Sequence, residues 1–386
     1  MTEKTWAPVI EQSHATLSRA LKGDSYLLFH DDADGCSAAA ILLSLASATN
    51  NENSFLDFAS PETHSVELTD RILGLLTKAE PKTVVSLDLA FSTSVQRISQ
   101  LLKQLNAHML AYDHHVQSKN QRWPLNCTHI NPLTYSLGNM PACVYSNVLY
   151  RHYVKLDDAD WVAAVGVVAD HRTRECAPLI KKVRKRYPHL YPFKEATHTL
   201  ATRSPLMTMA NLVNAGYQHS DWPGARIAVE ALKETLQSAD PSALLEGRTE
   251  KTRLLHRFRE EVSHELKHHL SSFDAEVKEY PDYHLAIYYM EPKLNITSQI
   301  ANQLQDRKPG MIIAVVSPET KDTLKVSLRK ERNLGLDLSN LAETTTATLE
   351  GGSGGGHPDA AGCVFLRKDF EVWKGRTLSY LKQMFS

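Results

Sequence analysis

The stretch Tyr26-Leu27-Leu28-Phe29-His30-Asp31-Asp32-Ala33-Asp34-Gly35 decides the fold. Four apolar residues, enough for a buried strand, run directly into a histidine and three acids. Gly35 and Ser37 then suit a tight turn into a capped helix, and an apolar helical run follows over 37–48. The succession repeats: a strand-like run over 55–58 with a helical one over 66–79, then 83–87 with 92–105, then another strand over 108–112. Strands alternating with helices at this spacing specify βαβ units, hence an α/β fold with a doubly wound, mostly parallel sheet.

In an open sheet of this kind the carboxyl ends of the strands line one edge, so residues distant in sequence converge there. Three more clusters fall at such ends. Asp88 closes 83–87, Asp113-His114-His115 follows 108–112, and Asp170-His171 follows the apolar run 161–169, read as a further strand. Converging carboxylates repel one another unless a cation neutralises them, so this edge reads as a metal site. Asp oxygens and imidazole nitrogens, with no Cys among them, favour Mn²⁺ or Mg²⁺ over structural zinc. Alternation along an extended segment places His30, Asp32 and Asp34 on one side and Asp31 opposite.

The 386 residues allow two or three domains, and a net charge of −1 with a pI near 7.0 excludes a global basic field for long duplex nucleic acid. A basic run at 181–186 with aromatics behind it reads first as a solvated helix face. Residues 1–25 lack the apolar core of a signal peptide or membrane anchor, and five cysteines without a Cys-x-x-Cys pair argue against a disulfide framework, so the expected compartment is the cytoplasm. Beyond about residue 177 the texture becomes helical, and strand-like runs return at 284–290, 311–316, 323–328 and 362–366, with helices over 296–305 and 369–385. The division is therefore a first α/β domain over 1–176, a helical connector over 177–280 and a smaller α/β domain over 281–386, with the active site in a cleft between the two α/β domains.

Taken in order, His30-x-Asp32-x-Asp34-Gly35, Asp88, Asp113-His114-His115, Asp170 and Gly355-Gly356-His357-Pro358-Asp359-Ala360-Ala361-Gly362 resemble the DHH phosphoesterase superfamily, in the nanoRNase and RecJ-like branch that carries a DHHA1 domain. The resemblance implies a site for two divalent cations, Mn²⁺ first and Mg²⁺ second. His30 and Asp32 would hold one ion, Asp34, His114 and Asp170 the other, and Asp88 both. Asp113 and His115 would act beside them, His115 on a phosphate oxygen and Asp113 in orienting an imidazole. In the second domain the resemblance assigns substrate grip to Gly355, Gly356 and His357 and to the strand bearing Ser327 and Arg329, whose guanidinium suits phosphate. The run 351–356 is expected as a loop whose backbone N–H groups approach an anion. Asn214, in Asn211-Leu-Val-Asn-Ala-Gly-Tyr217, resembles a RecJ-type stretch that has Arg where Tyr217 stands, and a helix C-cap at Gly216 accounts for it nearly as well. Asp170 also departs from the family by lacking a following glycine.

The implied activity is a metal-dependent phosphodiesterase trimming short single-stranded RNA, including dinucleotides, to mononucleotides, because a neutral chain suits a pocket for a short end better than a long basic track. Alternatives are a RecJ-type exonuclease on single-stranded DNA, a hydrolase of cyclic dinucleotides or of 3′-phosphoadenosine 5′-phosphate, and a catalytically silent nucleotide-binding module. A homodimer through the first domain and no membrane contact complete the expectations.

Overall fold

The computed structural model describes residues 3–49, 54–62, 66–91, 94–115, 122–331 and 334–385. It divides into two compact units, Met1–Arg259 and Glu260–Ser386. The first runs α1 (Glu3–Ala20), β1 (Ser25–Phe29), α2 (Ala33–Ala48), β2 (Phe55–Ala59), α3 (Asp70–Ala79), β3 (Thr83–Leu87), α4 (Val95–Leu105), β4 (His108–Tyr112) and β5 (Cys127–Ile130). Helices follow: α5 (Ala142–Val154), α6 (Asp160–Ala169), α7 (Ala177–Arg186), α8 (His198–Ala201), α9 (Pro205–Gln237), α10 (Ser242–Glu246) and α11 (Glu250–Glu276), whose range spans the division between the units.

All five strands are parallel in the order β2-β1-β3-β4-β5. Side-chain alternation divides them between two cores. Leu27, Phe29, Val85, Leu87, Leu110 and Tyr112 join α2, α5, α6 and α9 on one face, and Tyr26, Leu28, Val84, Met109 and Ala111 join α3 and α4 on the other. A sheet covered on both faces is why its central strands read as continuous apolar runs. The helices of the expected connector are shared out: α9 and α10 contribute Leu206, Leu212, Val229, Leu232 and Leu244 to the first unit's core.

The second unit runs β6 (Lys278–Tyr280), β7 (Leu285–Tyr289), α12 (Thr297–Leu304), β8 (Ile312–Pro318), β9 (Thr323–Arg329), α13 (Leu338–Thr346), β10 (Ser353–His357), β11 (Ala360–Leu366) and α14 (Phe370–Phe385). Its sheet has the order β10-β11-β9-β8-β7-β6, antiparallel except for β7 beside β8. α13 and α14 fill one face, α12 and the end of α11 the other.

Several sequence expectations are corrected. The run 161–169 is a helix, α6, with every residue from Asp160 to Val168 buried; a helix apolar on all sides has no 3.6-residue stripe and cannot be told from a buried strand by periodicity. α2 begins at Ala33, and its cap is Asp32, whose side chain accepts from Asp34 N and Gly35 N. The extended backbone after β1 therefore ends at Asp32, and Asp31 is buried with Oδ1 3.7 Å from His30 Nε2, the ring nitrogen opposite the one that Asp32 and Asp88 approach. Gly35 lies inside α2, where a Cβ would stand 2.1 Å from the His30 carbonyl oxygen. Gly216 is no C-cap but an interior residue of α9 that abuts Gly224 across a kink at Ser220 and Asp221. The glycine run is an edge strand, β10, rather than a loop. The expected helix start at Ser92 lies outside the described residues, and β5 was not foreseen.

Candidate metal centre and substrate face

The winding of the first sheet reverses between β1 and β3, the place where open α/β sheets form a crevice at their carboxyl edge. The residue after each of three strands is pinned there by a ladder hydrogen bond to its neighbour: His30 N to Leu87 O at 3.2 Å, Asp88 N to Tyr112 O at 2.8 Å, Asp113 N to Ile130 O at 3.1 Å. Asp88 takes a left-handed backbone (φ 64°), a conformation Asp tolerates better than most residues and one that turns its side chain inward at the strand end.

Asp88 stands between two imidazoles. Its Oδ2 is 3.6 Å from His30 Nδ1 and its Oδ1 3.1 Å from His114 Nε2. Asp32 Oδ2 lies 3.1 Å from the same His30 nitrogen, so His30, Asp32 and Asp88 form one set of convergent donors; Asp88, His114 and His115 form a second. Asp34 and Asp170 flank the second set, with Asp34 Oδ2 4.0 Å from His114 Nε2 and Asp170 Oδ2 3.9 Å from its Nδ1. The two lie on opposite nitrogens of one ring.

Asp34 does further work. Its Oδ2 accepts from Ala142 N at 2.8 Å and its Oδ1 from Cys143 N at 2.9 Å, which ties the start of α2 to the start of α5. Gly166 on α6 leaves room for this carboxylate, since a Cβ there would be 3.0 Å from Asp34 Oδ1 and 2.7 Å from Cys143 Sγ.

The charges are crowded. Burial, then Asp88 and Asp170, push Asp34 up to about 8, and burial with Asp88 and Asp32 pushes Asp170 up to about 6 against the pull of His114. Burial also works against ionisation of Asp88, but hydrogen bonds and charge from His114 and His30 hold it far below the usual carboxylate range. Burial opposes protonation of His30 and His114, and the carboxylates around them outweigh it and raise both. Asp170 Oδ2 is buried and has no hydrogen-bond partner among the described residues. A buried group of carboxylates with hard oxygen and imidazole nitrogen donors is the environment that a divalent cation stabilises, so the residues fit a metal.

Asp113 Oδ1 accepts from both His115 N at 3.1 Å and His115 Nδ1 at 2.6 Å, which fixes that ring from behind. Asn214 Oδ1 accepts from Ala33 N at 2.8 Å and so holds the first turn of α2 from α9. Tyr217 lies near Asp31 and Asp32; its burial and their charges raise its hydroxyl pKa, which keeps the side chain neutral. Four contributors escaped the sequence reading: Asn131, whose Nδ2 donates to His115 O at 2.8 Å, Asn139 beside His114 Nδ1, Arg172 with Nε 3.5 Å from Asp170 Oδ2, and Gly166. Nothing in their local pattern distinguishes them from turn and helix residues.

In the second unit, strand register gathers the other predicted residues. His357, Ala360 and Arg329 are in line across β10, β11 and β9, and so are Gly355, Gly362 and Ser327 one step along. Directly opposed residues share a face, so Gly355, Ser327, Arg329 and His357 border one patch, about 10 Å across at two strand spacings. Gly362 belongs with them, a position the sequence reading left out. Among the described residues a Cβ on Gly355 would meet only Glu343 Oε1 at 3.9 Å and one on Gly362 only Val326 O at 3.4 Å, so the described part of this surface is bare backbone. Arg329 donates to Asn302 Oδ1 and to Leu328 O at 2.9 Å and makes no ion pair among the described residues; burial alone lowers it to about 10. A half-buried guanidinium whose hydrogen-bond partners among the described residues are neutral attracts an anion. Ser327 is buried and turned to Ser298, Oγ to Oγ at 3.1 Å.

The two units thus consist of an α/β layer with a metal-fitting carboxyl edge and a mixed sheet with a glycine-floored, arginine-bordered face. Residues 283–370 match the DHHA1 domain family. No curated protein matches the chain. Among solved structures, RecJ in complex with Mn²⁺ from Thermus thermophilus aligns over 97% of this chain at 17% identity and a TM-score of 0.73, and this chain spans 55% of that protein's length. Exonuclease RecJ bound to manganese aligns over 96% of this chain and 94% of its own, at 17% identity and a TM-score of 0.70. CDC45 from Entamoeba histolytica aligns over 99% of both chains at 12% identity and a TM-score of 0.58. At these identities the likeness is one of fold. Residues 283–370 thus carry a DHHA1 domain, and the chain as a whole shares the fold of the RecJ structures.

Proposed function

We propose that the protein is a divalent-metal-dependent phosphodiesterase that cleaves short single-stranded oligonucleotides, RNA first. The observation that supports the chemistry is the position of Asp88, shared by two donor sets that each contain an imidazole. His30 and Asp32 would hold one cation and His114 with Asp34 or Asp170 the second, Asp88 serving both; manganese in two RecJ structures of the same fold supports Mn²⁺. Bound there, the cations would neutralise phosphate charge and supply an acidified water at neutral pH. The chain's own residues do the rest. Asp113 fixes His115 through Nδ1, leaving Nε2 for a phosphate oxygen, and Asn214 and Asp34 hold the α2 turn in place. Arg329 would take a phosphate, and the bare strip at Gly355 and Gly362 would admit a flat base or sugar against backbone.

The preference for short substrates rests on the net charge of −1, which gives little counterion-release affinity for a long strand. A second reading, a RecJ-type exonuclease on single-stranded DNA, is supported by the likeness to RecJ along nearly the whole chain. The test is hydrolysis of labelled dinucleotide, pentanucleotide and long RNA and DNA in Mn²⁺. The highest kcat/KM on the shortest RNA is expected; processive degradation of long DNA would instead establish the second reading, and no hydrolysis with any metal would reject both.

A further inference from the structure

We propose that the indole of Trp222, capped on one face by Arg71, is a stacking platform for a nucleobase of the substrate, an inference that rests on the phosphodiesterase reading above. Of the five tryptophans, Trp6, Trp161 and Trp373 are buried and Trp123 stacks on His129, whereas Trp222 is 36% exposed. So large an apolar side chain left at the surface forgoes the burial that a core position would give. The backbone is built to present it. α9 breaks at Ser220 and Asp221, Asp221 takes φ 47°, and the halves meet at Gly216 and Gly224, where a Cβ on Gly216 would stand 2.5 Å from Gly224 O. Trp222 is the first residue after the break.

Contacts on either side of the break place it at the carboxyl edge of the first sheet. Asn214 Oδ1 accepts from Ala33 N at the start of α2, and Cys36 Sγ lies 3.8 Å from Ala225 O in the same first turn. From the other side, the Arg71 guanidinium carbon is 4.3 Å from the centre of the Trp222 ring, and Arg71 Nη2 donates to Ser60 O just after β2. Leu28 is in register with Ala59, so the next pair is Phe29 and Ser60, one strand spacing of about 4.8 Å apart. The indole therefore flanks the strand end that delivers His30, on its β2 side.

The chemistry of the patch selects a base over a phosphate. Arg71 Nε donates to Glu62 Oε2 at 3.1 Å, and the same oxygen accepts from Thr69 Oγ1 at 2.7 Å, so the guanidinium is held in orientation from behind. One turn along α9, Arg226 lies 4.1 Å over the Phe58 ring and pairs with Asp57 at 2.5 Å and Glu230 at 3.3 Å. Both guanidinium charges are thus matched by acids, which leaves little net field for a phosphate. What remains is a flat ring backed by a fixed cation. Every nucleobase has a π-face to lay on such a surface, and among the described residues Arg71 is the only ring or cation partner of the indole, which leaves the opposite face for the base.

The test is steady-state hydrolysis of RNA dinucleotides by the Mn²⁺-loaded full chain, one substrate carrying both bases and two others with the 5′ or the 3′ base replaced by hydrogen. Wild type is compared with Trp222→Phe, Trp222→Leu and Trp222→Ala. The leucine and alanine variants should raise KM for the intact dinucleotide about 5- to 150-fold, the range for losing one stacked base, and Trp222→Phe should lose much less. In wild type, deleting one particular base should cost a similar factor. Trp222→Leu should then add nothing on that analogue, because the two changes remove the same contact. Mn²⁺ affinity, read by calorimetry, should be equal in all variants. Trp222→Leu keeps an apolar group at the break, so the comparison stands if Trp222→Ala does not fold. Equal KM in wild type and Trp222→Leu, losses that multiply, or weaker Mn²⁺ binding with KM raised alike on all three substrates would each overturn the proposal alone, the last by making the indole a structural prop. A wild type that hydrolyses no dinucleotide overturns the phosphodiesterase reading and the proposal with it.

Discussion

Alanine at Gly354 and alanine at Gly355 should have opposite consequences, although the residues are adjacent in β10. A Cβ on Gly354 would stand 2.3 Å from the Ala342 carbonyl oxygen and 2.5 Å from its carbon, main-chain atoms of α13 that yield only if the helix shifts. Overpacking of this kind costs about 1–3 kcal/mol. A Cβ on Gly355 meets nothing nearer than Glu343 Oε1 at 3.9 Å, the far end of a flexible side chain. There alanine should stabilise by about 0.5–1 kcal/mol, because the unfolded chain loses backbone freedom. The variants should therefore differ by about 1.5–4 kcal/mol in stability. Urea unfolding read by hydrogen exchange in peptides covering β10 and β11 reports the second unit by itself. Ligand affinity should rank the other way. The Gly355 methyl enters the face shared with Arg329 and His357 and should raise the dinucleotide Kd, by about tenfold for each 1.4 kcal/mol lost, while Gly354 points into α13. If the Gly355 variant is as unstable as the Gly354 variant, or binds dinucleotide as tightly as wild type, the glycines serve strand geometry alone and the substrate-face reading is refuted.

Mn²⁺ at 100 times its Kd should stabilise the wild type by about 2.7 kcal/mol, seen as a rise in Tm, and Asp88→Ala should show no rise; a full rise in that variant would sink the shared-ligand assignment. Arg329→Ala should raise KM for a short oligonucleotide about 10- to 100-fold, the loss of one charge-assisted hydrogen-bonding group, with kcat changed far less; an unchanged KM removes the proposed phosphate contact. Gly224→Ala would place a Cβ 1.9 Å from Gly216 O and force the halves of α9 apart, so a stability loss at the upper end of about 1–3 kcal/mol is expected. Weaker Mn²⁺ binding should accompany it, because Asn214 on α9 holds the Ala33 N–H; calorimetry and urea unfolding of the same sample check both.

Much of the fold was legible because its strands carry their own signal. β1, β3 and β4 are buried on both faces, and continuous apolar runs ending in acids mark them without help from distant residues. The ligand candidates after those strands were legible for the same reason: a strand end in a parallel sheet has a fixed destination. α6 was not, since a ten-residue segment buried on every side leaves no periodicity to read. Nor was the role of Asp32 as the α2 cap, because Asp serves equally as cap, turn residue or ligand.

What the sequence determined by itself is the class of chemistry: the acids and histidines, their order, and the strands that deliver them to one edge. Tertiary structure alone decided how they divide the work. Asp34 holds the N-terminus of α5 as well as flanking His114, Asn139 and Arg172 meet a ring on a different segment, and Gly354 and Gly355 face opposite sides of one edge strand. These outcomes depend on which atoms lie within hydrogen-bond or van der Waals distance. Such distances are set by the packing of α2, α5, α6 and α9 in one unit and of α13 against β10 in the other, and no local pattern of residues encodes them.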